Sequence, residues 1–130
     1  MPRIEHIALW TRDLPRLRDF YVAYFGARAG ADYRNDAKDF ASCFLEFDGG
    51  ARLELMRSGC LDLADAAAGA QRHGLTHVAI SVGSEAGVDA LTKRLAADGY
   101  PVLDGPRRTG DGYYESVVLD PDGNRVEVTA

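Results

Sequence analysis

The sequence predicts an α+β domain of two tandem βαβββ modules, with a curved mixed sheet around a cleft. Three coincidences of spacing predict it. Gly50-Ala51-Arg52-Leu53-Glu54-Leu55 returns as Gly123-Asn124-Arg125-Val126-Glu127-Val128, placing Glu54 and Glu127 73 residues apart (127 − 54). Upstream, Glu5-His6-Ile7-Ala8-Leu9 is echoed by Thr76-His77-Val78-Ala79-Ile80, with the histidines 71 apart (77 − 6). Gly26 and Gly99, each a good helix stop, are 73 apart (99 − 26). One duplicated unit accounts for all three, and each half opens with a histidine and closes with a glutamate.

In the first half, residues 4–9 alternate as a strand, with Ile7 and Leu9 on one face. Ile4, His6 and Ala8, continued by Trp10, take the other. Asp13 is the N-cap of a helix that tolerates Pro15 in its first turn and runs to about Tyr24. Its apolar stripe is Leu14, Leu17, Phe20, Tyr21 and Tyr24 or Phe25. Residues 29–34 read as a short strand and 35–39 as a polar turn. Residues 40–47 alternate again, with Ala41, Cys43, Leu45 and Phe47 in phase. Asp48-Gly49-Gly50 is a hairpin turn leading into a strand over 51–56 that carries Glu54. Residues 57–74 have no counterpart in either half and read as a joint, with a short Ala-rich helix over 61–71.

The second half repeats the plan. Residues 75–82 form a strand, with Val78, Ile80 and Val82 in phase and His77 out of phase. Ser84 caps a helix that runs to about Asp98 and buries Val88, Leu91 and Leu95. Residues 101–103 read as a short strand, 105–112 as a loop and 113–119 as a strand. Asp120-Pro121-Asp122-Gly123 is a type I turn, and 124–129 the last strand. The chain 1–130 thus reads as one domain, with module one about 1–56, the joint about 57–74 and module two about 75–130.

A length of 130 residues is enough for one domain with a real core. An apolar content of 46% and a charged content of 27% fit a soluble globular protein. No apolar run approaches the roughly 20 residues that span a bilayer. Residues 1–6 lack the apolar centre of a signal peptide, so the expected location is the cytoplasm, with no membrane partner. The net charge of −5 argues against nucleic acid as a partner. Cys43 and Cys60 make neither a disulfide framework nor a CxxC pair; Cys43 reads as a small core residue and Cys60 as a bystander thiol. No nucleophile elbow or phosphate-binding glycine loop is present. Asp120-x-Asp122-x-Asn124 starts like a calcium loop, but Arg125 stands where glycine is needed.

Strand parity carries the functional reading. His6 opposes Ile7 and Leu9, Glu54 opposes Leu53 and Leu55, His77 opposes Val78 and Ile80, and Glu127 opposes Val126 and Val128. The helices take the apolar faces, so these four polar side chains are expected to point into the cleft. Singly, a Glu on a polar strand face is usually solvated and a His is usually structural. The repeat shifts the balance, because two of the three histidines fall at equivalent positions, while His73 in the joint reads as solvated. Two imidazoles and two carboxylates suit one borderline divalent metal per site, Ni or Zn first, with Co, Mn or Fe also accommodated. A five- or six-coordinate ion would keep a position open for water or a substrate oxygen.

With these residues the chain resembles the vicinal oxygen chelate superfamily, which includes glyoxalase I, bleomycin-resistance proteins, fosfomycin-resistance transferases, methylmalonyl-CoA epimerase and extradiol dioxygenases. The resemblance covers nearly the whole chain. It rests on Ile4-Glu5-His6-Ile7-Ala8, the Asp13-Leu14 helix start with Phe20-Tyr21, Leu53-Glu54-Leu55, His77-Val78-Ala79-Ile80-Ser81-Val82 and Asp120-Pro121-Asp122-Gly123-Asn124-Arg125-Val126-Glu127. It implies paired modules, a metal-binding cleft, a small-molecule substrate and a homodimer. The order His, Glu, His, Glu is similar to glyoxalase I, which makes His6, Glu54, His77 and Glu127 the matching ligands. The epimerase pattern would place Gln at Glu54; the transferases and dioxygenases use three protein ligands; bleomycin-binding members lack the metal set.

The resemblance therefore implies a metal-dependent lyase or isomerase using enediolate chemistry on a small α-oxygenated substrate. Glu127 is the first choice of base and Glu54 the second. An epimerase or isomerase of the same superfamily, or a bleomycin-resistance-type binding protein, are the alternatives. Trp10 stands where glyoxalase I would carry Arg, and Met56-Arg57-Ser58 lacks its expected Asn, which weighs against glutathione. Trp10, Phe44, Met56 and Tyr113 are candidates for a more apolar pocket, and Arg107 or Arg108 for contact with an anionic group.

Overall fold

Each half of the chain builds a mixed sheet by pairing its first strand, in parallel, with its last. The computed structural model describes residues 1–61, 67–71 and 73–130. The first unit, Met1–Ala64, contains β1 (His6–Trp10), α1 (Leu14–Phe25), β2 (Arg28–Ala29), β3 (Tyr33–Asn35), a 3-10 turn (Asp36–Lys38), β4 (Phe40–Glu46) and β5 (Arg52–Ser58). The second, Asp65–Ala130, contains β6 (His77–Ser81), α2 (Glu85–Ala97), β7 (Val102–Arg108), β8 (Tyr114–Leu119) and β9 (Arg125–Thr129). The sheet orders are β1-β5-β4-β2, with β3 also on β4, and β6-β9-β8-β7. The architecture is α+β with two tandem modules, as expected from the sequence, built as two open mixed sheets, one per module.

The helices start and stop where their caps dictate. The Asp13 carboxylate accepts the Arg16 N–H at 3.0 Å, and the Ser84 hydroxyl accepts that of Gly87 at 3.0 Å. Gly26 ends α1 at φ +65, the left-handed conformation that a residue with Cβ adopts only at a cost. The buried stripe of α1 is Leu14, Leu17, Phe20 and Tyr21, packed over β4 and β5, whose inward residues are Ala41, Cys43, Leu45, Leu53 and Leu55. In the second unit Val88, Leu91 and Leu95 of α2 cover Val118, Val126 and Val128. That core also holds a polar pair: the Thr92 hydroxyl donates to the Val88 carbonyl at 2.6 Å and meets the Ser116 hydroxyl at 2.7 Å. With partners made, its burial carries no unsatisfied group.

Three local expectations are refined or corrected. The strand over 29–34 is two pieces, β2 and β3, because Gly30-Ala31-Asp32 lacks the branched and aromatic residues that hold a ladder. The polar turn at 35–39 is a 3-10 turn, with the Asn35 side chain accepting the Lys38 N–H at 3.3 Å. The loop over 105–112 begins late, since β7 continues to Arg108. Its pairing with β8 shifts register around Asp104, and this irregular stretch admits Gly105 and Pro106 to a strand. Of the helix expected over 61–71, residues 62–66 lie outside the described residues, and Ala67 to Ala70 form a turn closed by an N–H···O bond of 2.9 Å. Among the described residues no helix is long and apolar enough to cross a membrane.

The Asp120–Gly123 turn is internally saturated. The Asp120 carboxylate accepts the N–H groups of Asp122 and Asn124 and the Asn124 amide, each at 2.9 Å. Its oxygens are thus committed to the turn, as expected for a turn rather than a calcium loop. The described end of the joint docks here: Gly69 N–H donates to the Gly123 carbonyl at 2.9 Å. Gly123 sits at φ +81, and a Cβ there would come within 2.8 Å of the Ala68 methyl. Gly123→Ala is therefore expected to cost about 1–3 kcal/mol in urea denaturation. Gly49→Ala, where a Cβ meets open space, should stay within about 0.5 kcal/mol.

Candidate functional site

Strand register puts the candidate ligands together in pairs. On β1 and β5, His6 faces Arg52 and Ala8 faces Glu54. The methyl of Ala8 leaves space on the open face, and His6 Nε2 lies 3.5 Å from Glu54 Oε2. On β6 and β9 the register repeats, His77 facing Arg125 and Ala79 facing Glu127, and His77 Nε2 lies 3.2 Å from Glu127 Oε2. The environments match as well: the imidazoles are 39% exposed in both pairs, and the carboxylates 19% and 21%. Each glutamate stands between two buried apolar residues that face the helix.

What lies behind each imidazole differs. His6 Nδ1 is hydrogen-bonded to the Glu5 carboxylate. The other Glu5 oxygen accepts from Arg52, through Nη2 and through Nε at 2.9 Å. The Arg52 guanidinium lies 4.0 Å above the Phe44 ring, and Phe44 meets His6 edge-on at 5.4 Å. The hydrogen bond to His6, then the one to Arg52, hold the Glu5 carboxyl below the usual carboxylate range. In the second unit His77 Nδ1 meets the Thr76 hydroxyl at 2.8 Å, and Arg125 donates instead to the Gly69 carbonyl at 2.9 Å.

These donors fit a divalent cation. A carboxylate only accepts, so His6 Nδ1 is turned to Glu5 as a donor, and Nε2, facing Glu54, is the ring nitrogen left to meet a cation. Two lone-pair donors at such a distance attract a shared cation. Each unit offers one imidazole nitrogen and one carboxylate oxygen at such a distance. Among the described residues no group of three or more His, Cys, Asp or Glu side chains gathers as a ready metal cluster. Each unit thus holds one His–Glu pair, with two donors in each.

Glu115 was not singled out from the sequence. It lies on β8 opposite Thr129, in phase with Val117, which faces Glu127. Burial first, and then the negative charges of Glu127 and Asp111, push its carboxyl above the usual range, with His77 working against them. The available cue was its alternation against the buried Ser116 and Val118. The repeat gave no help, because the position 73 residues earlier (115 − 73 = 42) is Ser42.

The remaining pocket residues separate. Trp10 faces Met56 across β1 and β5, about 13 Å along the strand from His6. Trp10 is edge-on to Phe40 at 6.3 Å, and Tyr33 meets Phe40 at 6.1 Å. Trp10 and Tyr33 remain 48% and 56% exposed, so this aromatic row is an open surface of the first unit. Phe44, by contrast, is occupied with His6 and Arg52. Tyr113 is exposed just before β8. Arg107 forms a bidentate pair with Asp104, its Nε 3.0 Å and its Nη2 2.8 Å from the carboxylate, and Arg108 pairs with Glu85. Both cations already have carboxylate partners, which the sequence reading did not foresee.

Known proteins share this architecture. The trypanothione-dependent glyoxalase I of Leishmania major aligns with a TM-score of 0.76 at 20% identity, over 99% of this chain and 86% of that one. Glyoxalase I of Zea mays aligns at 0.78 and 23% identity, over 98% of this chain and 44% of that one. A possible glyoxalase from Bacillus cereus aligns at 0.69 and 27% identity, over 98% and 97%. The uncharacterized protein YqjT of Bacillus subtilis (strain 168) is 42% identical over 62 residues, 45% of this chain. That match spans about half of the curated relative, 48% of its length. The family model for the Glyoxalase/Bleomycin resistance protein/Dioxygenase superfamily matches residues 3–128, and the chain belongs to that superfamily.

Proposed function

We propose that the chain, acting as one domain over 1–130, is a metal-dependent lyase or isomerase of the glyoxalase I type for a small α-oxygenated substrate. The observation that carries this reading is the His–Glu diagonal pair repeated in both halves with the same register and nearly the same exposure. His6, Glu54, His77 and Glu127 would hold one divalent ion per site, Ni or Zn first, with Co, Mn or Fe also suited. The halves come from one chain or from two, since a homodimer is part of the proposal. When bound, the ion supplies Lewis-acid polarisation of a substrate carbonyl.

The protein's own residues do the rest. Glu127, our first choice of base, takes the proton from the carbon beside that carbonyl and returns it to the adjacent carbon; Glu54 is the second choice. The two are not equivalent, because the strand neighbour at Glu127 includes the acidic Glu115 where the neighbour at Glu54 is Ser42. Trp10 and Met56, with Phe40 and Tyr33, would take an apolar part of the substrate. An aromatic face of this kind offers no charge partner to the carboxylates of a glutathione hemithioacetal. The same open aromatic row favours a second reading, a small-molecule binding protein of the bleomycin-resistance kind.

Elemental analysis of the purified protein tests the first reading. One divalent ion per site is expected, lost in both His6→Ala and Glu127→Ala. Absence of metal, with none taken up from Ni, Zn, Co, Mn or Fe, would overturn it. Glu127→Gln should keep the ion and lower turnover of α-hydroxycarbonyl or hemithioacetal substrates by about 10²–10⁴-fold. Tight ligand binding that survives both chelation and loss of Glu127 would establish the binding-protein reading instead.

A further inference from the structure

We propose that Glu5 and Arg52 form a positioning pair that fixes the orientation and Nδ1–H tautomer of His6, so that the two half-sites are built unequally. The first is pre-set, and the second is adaptable. The inference rests on the metal reading above for its consequence, but its geometry stands without a metal.

A carboxylate only accepts hydrogen bonds. Placed on Nδ1, Glu5 requires that nitrogen to carry the proton, so Nε2, facing Glu54, is the one ring nitrogen that can give a lone pair to a cation. A hydroxyl both donates and accepts, so Thr76 at 2.8 Å from His77 Nδ1 is compatible with either tautomer. Glu5 does not depend on its own rotamer preference to stay in place. Arg52 clamps its second oxygen through two N–H groups, and Phe44 packs against both Arg52 and His6. An isolated exposed ion pair contributes little to stability. Here the pair is part of a network with an aromatic ring, and the quantity it controls is ring geometry rather than global stability.

The repeat makes the asymmetry specific. Arg52 and Arg125 are equivalent positions, 73 apart (125 − 52), and Glu5 and Thr76 are equivalent, 71 apart (76 − 5). In the first unit the arginine reaches the residue beside the histidine; in the second it reaches the Gly69 carbonyl in the joint. The duplicated arginine thus serves the half-site in one module and the chain connection in the other.

The test compares wild type, Glu5→Ala, Glu5→Gln, Thr76→Val and His6→Ala. One readout is the histidine ring nitrogen spectrum of the metal-free protein; the other is Ni or Zn affinity by titration. In wild type His6 is expected as the pure Nδ1–H tautomer. Glu5→Ala should convert it to a mixture and weaken metal affinity about 10–100-fold. Glu5→Gln, which keeps an acceptor oxygen, should restore most of both, a rescue that a general loss of folding would not give. Thr76→Val should change affinity by less than Glu5→Ala does. An unchanged His6 spectrum or an unchanged affinity in Glu5→Ala overturns the proposal. If His6→Ala binds metal as wild type does, or wild type binds none, the metal reading fails, and the ring spectrum alone still decides whether Glu5 positions His6.

Discussion

The structure depends on one constraint, the parallel pairing of the first and last strands of each module in a fixed register. β1 on β5 and β6 on β9 bring together residues separated by a whole module of chain. Each pairing sends Leu53 and Leu55, or Val126 and Val128, to the helix and leaves a histidine and a glutamate diagonal to one another on the opposite face. A slip of one residue in either pairing would put carboxylate under the helix and leucine or valine in the open. Hydrophobic burial beneath α1 and α2 therefore also sets the geometry of the polar pairs. The sequence need not specify the two separately.

That coupling explains what was legible beforehand. The helix caps Asp13 and Ser84, the stop at Gly26, the buried stripe of α1 and the opposed faces of the four site strands are local patterns, readable at a period of two or of about four. Cys43 and Cys60 were separable for the same reason, one in phase with a buried face and one not. Most of what was missed depends on partners distant in sequence. Nothing near Arg52 indicates that its guanidinium reaches Glu5, and nothing near Arg108 announces Glu85; the Arg107–Asp104 pair, only three residues apart, was hidden because that stretch read as a loop. Glu115 escaped because its counterpart in the repeat is Ser42, so a method built on coincidences between halves passes over a position where the halves differ. The extension of β7 was hidden by Gly105 and Pro106, whose usual meaning is a loop and which a bulged edge strand nevertheless tolerates.

The two halves of the chain carry matched His–Glu pairs and differ in the residues around them. The His–Glu diagonals stayed alike in distance and exposure. Their surroundings did not: carboxylate against hydroxyl behind the imidazole, phenyl against valine across from the glutamate, serine against glutamate on the next strand. The two pairs therefore stand in chemically distinct surroundings even though their donors are nearly alike. An open aromatic row on the first unit adds to that difference, since Trp10 has Ser81 as its equivalent 71 residues later (81 − 10).

The same divergence reaches the cores. Cys43 and Ser116 are equivalent, 73 apart (116 − 43), and both are almost fully buried. Ser116 needs the Thr92 hydroxyl, whereas the thiol of Cys43 packs as a small apolar group, its ionisation suppressed by burial. Both cysteines of the chain fall in the first unit, Cys43 inside and Cys60 outside. The molecule therefore carries its own pair of clocks for a thiol reagent. Modification of Cys60 times the arrival of the reagent, and modification of Cys43 times the opening of the first unit. The second unit, having no thiol, is silent in both, so the breathing of one half can be followed without any contribution from its duplicate.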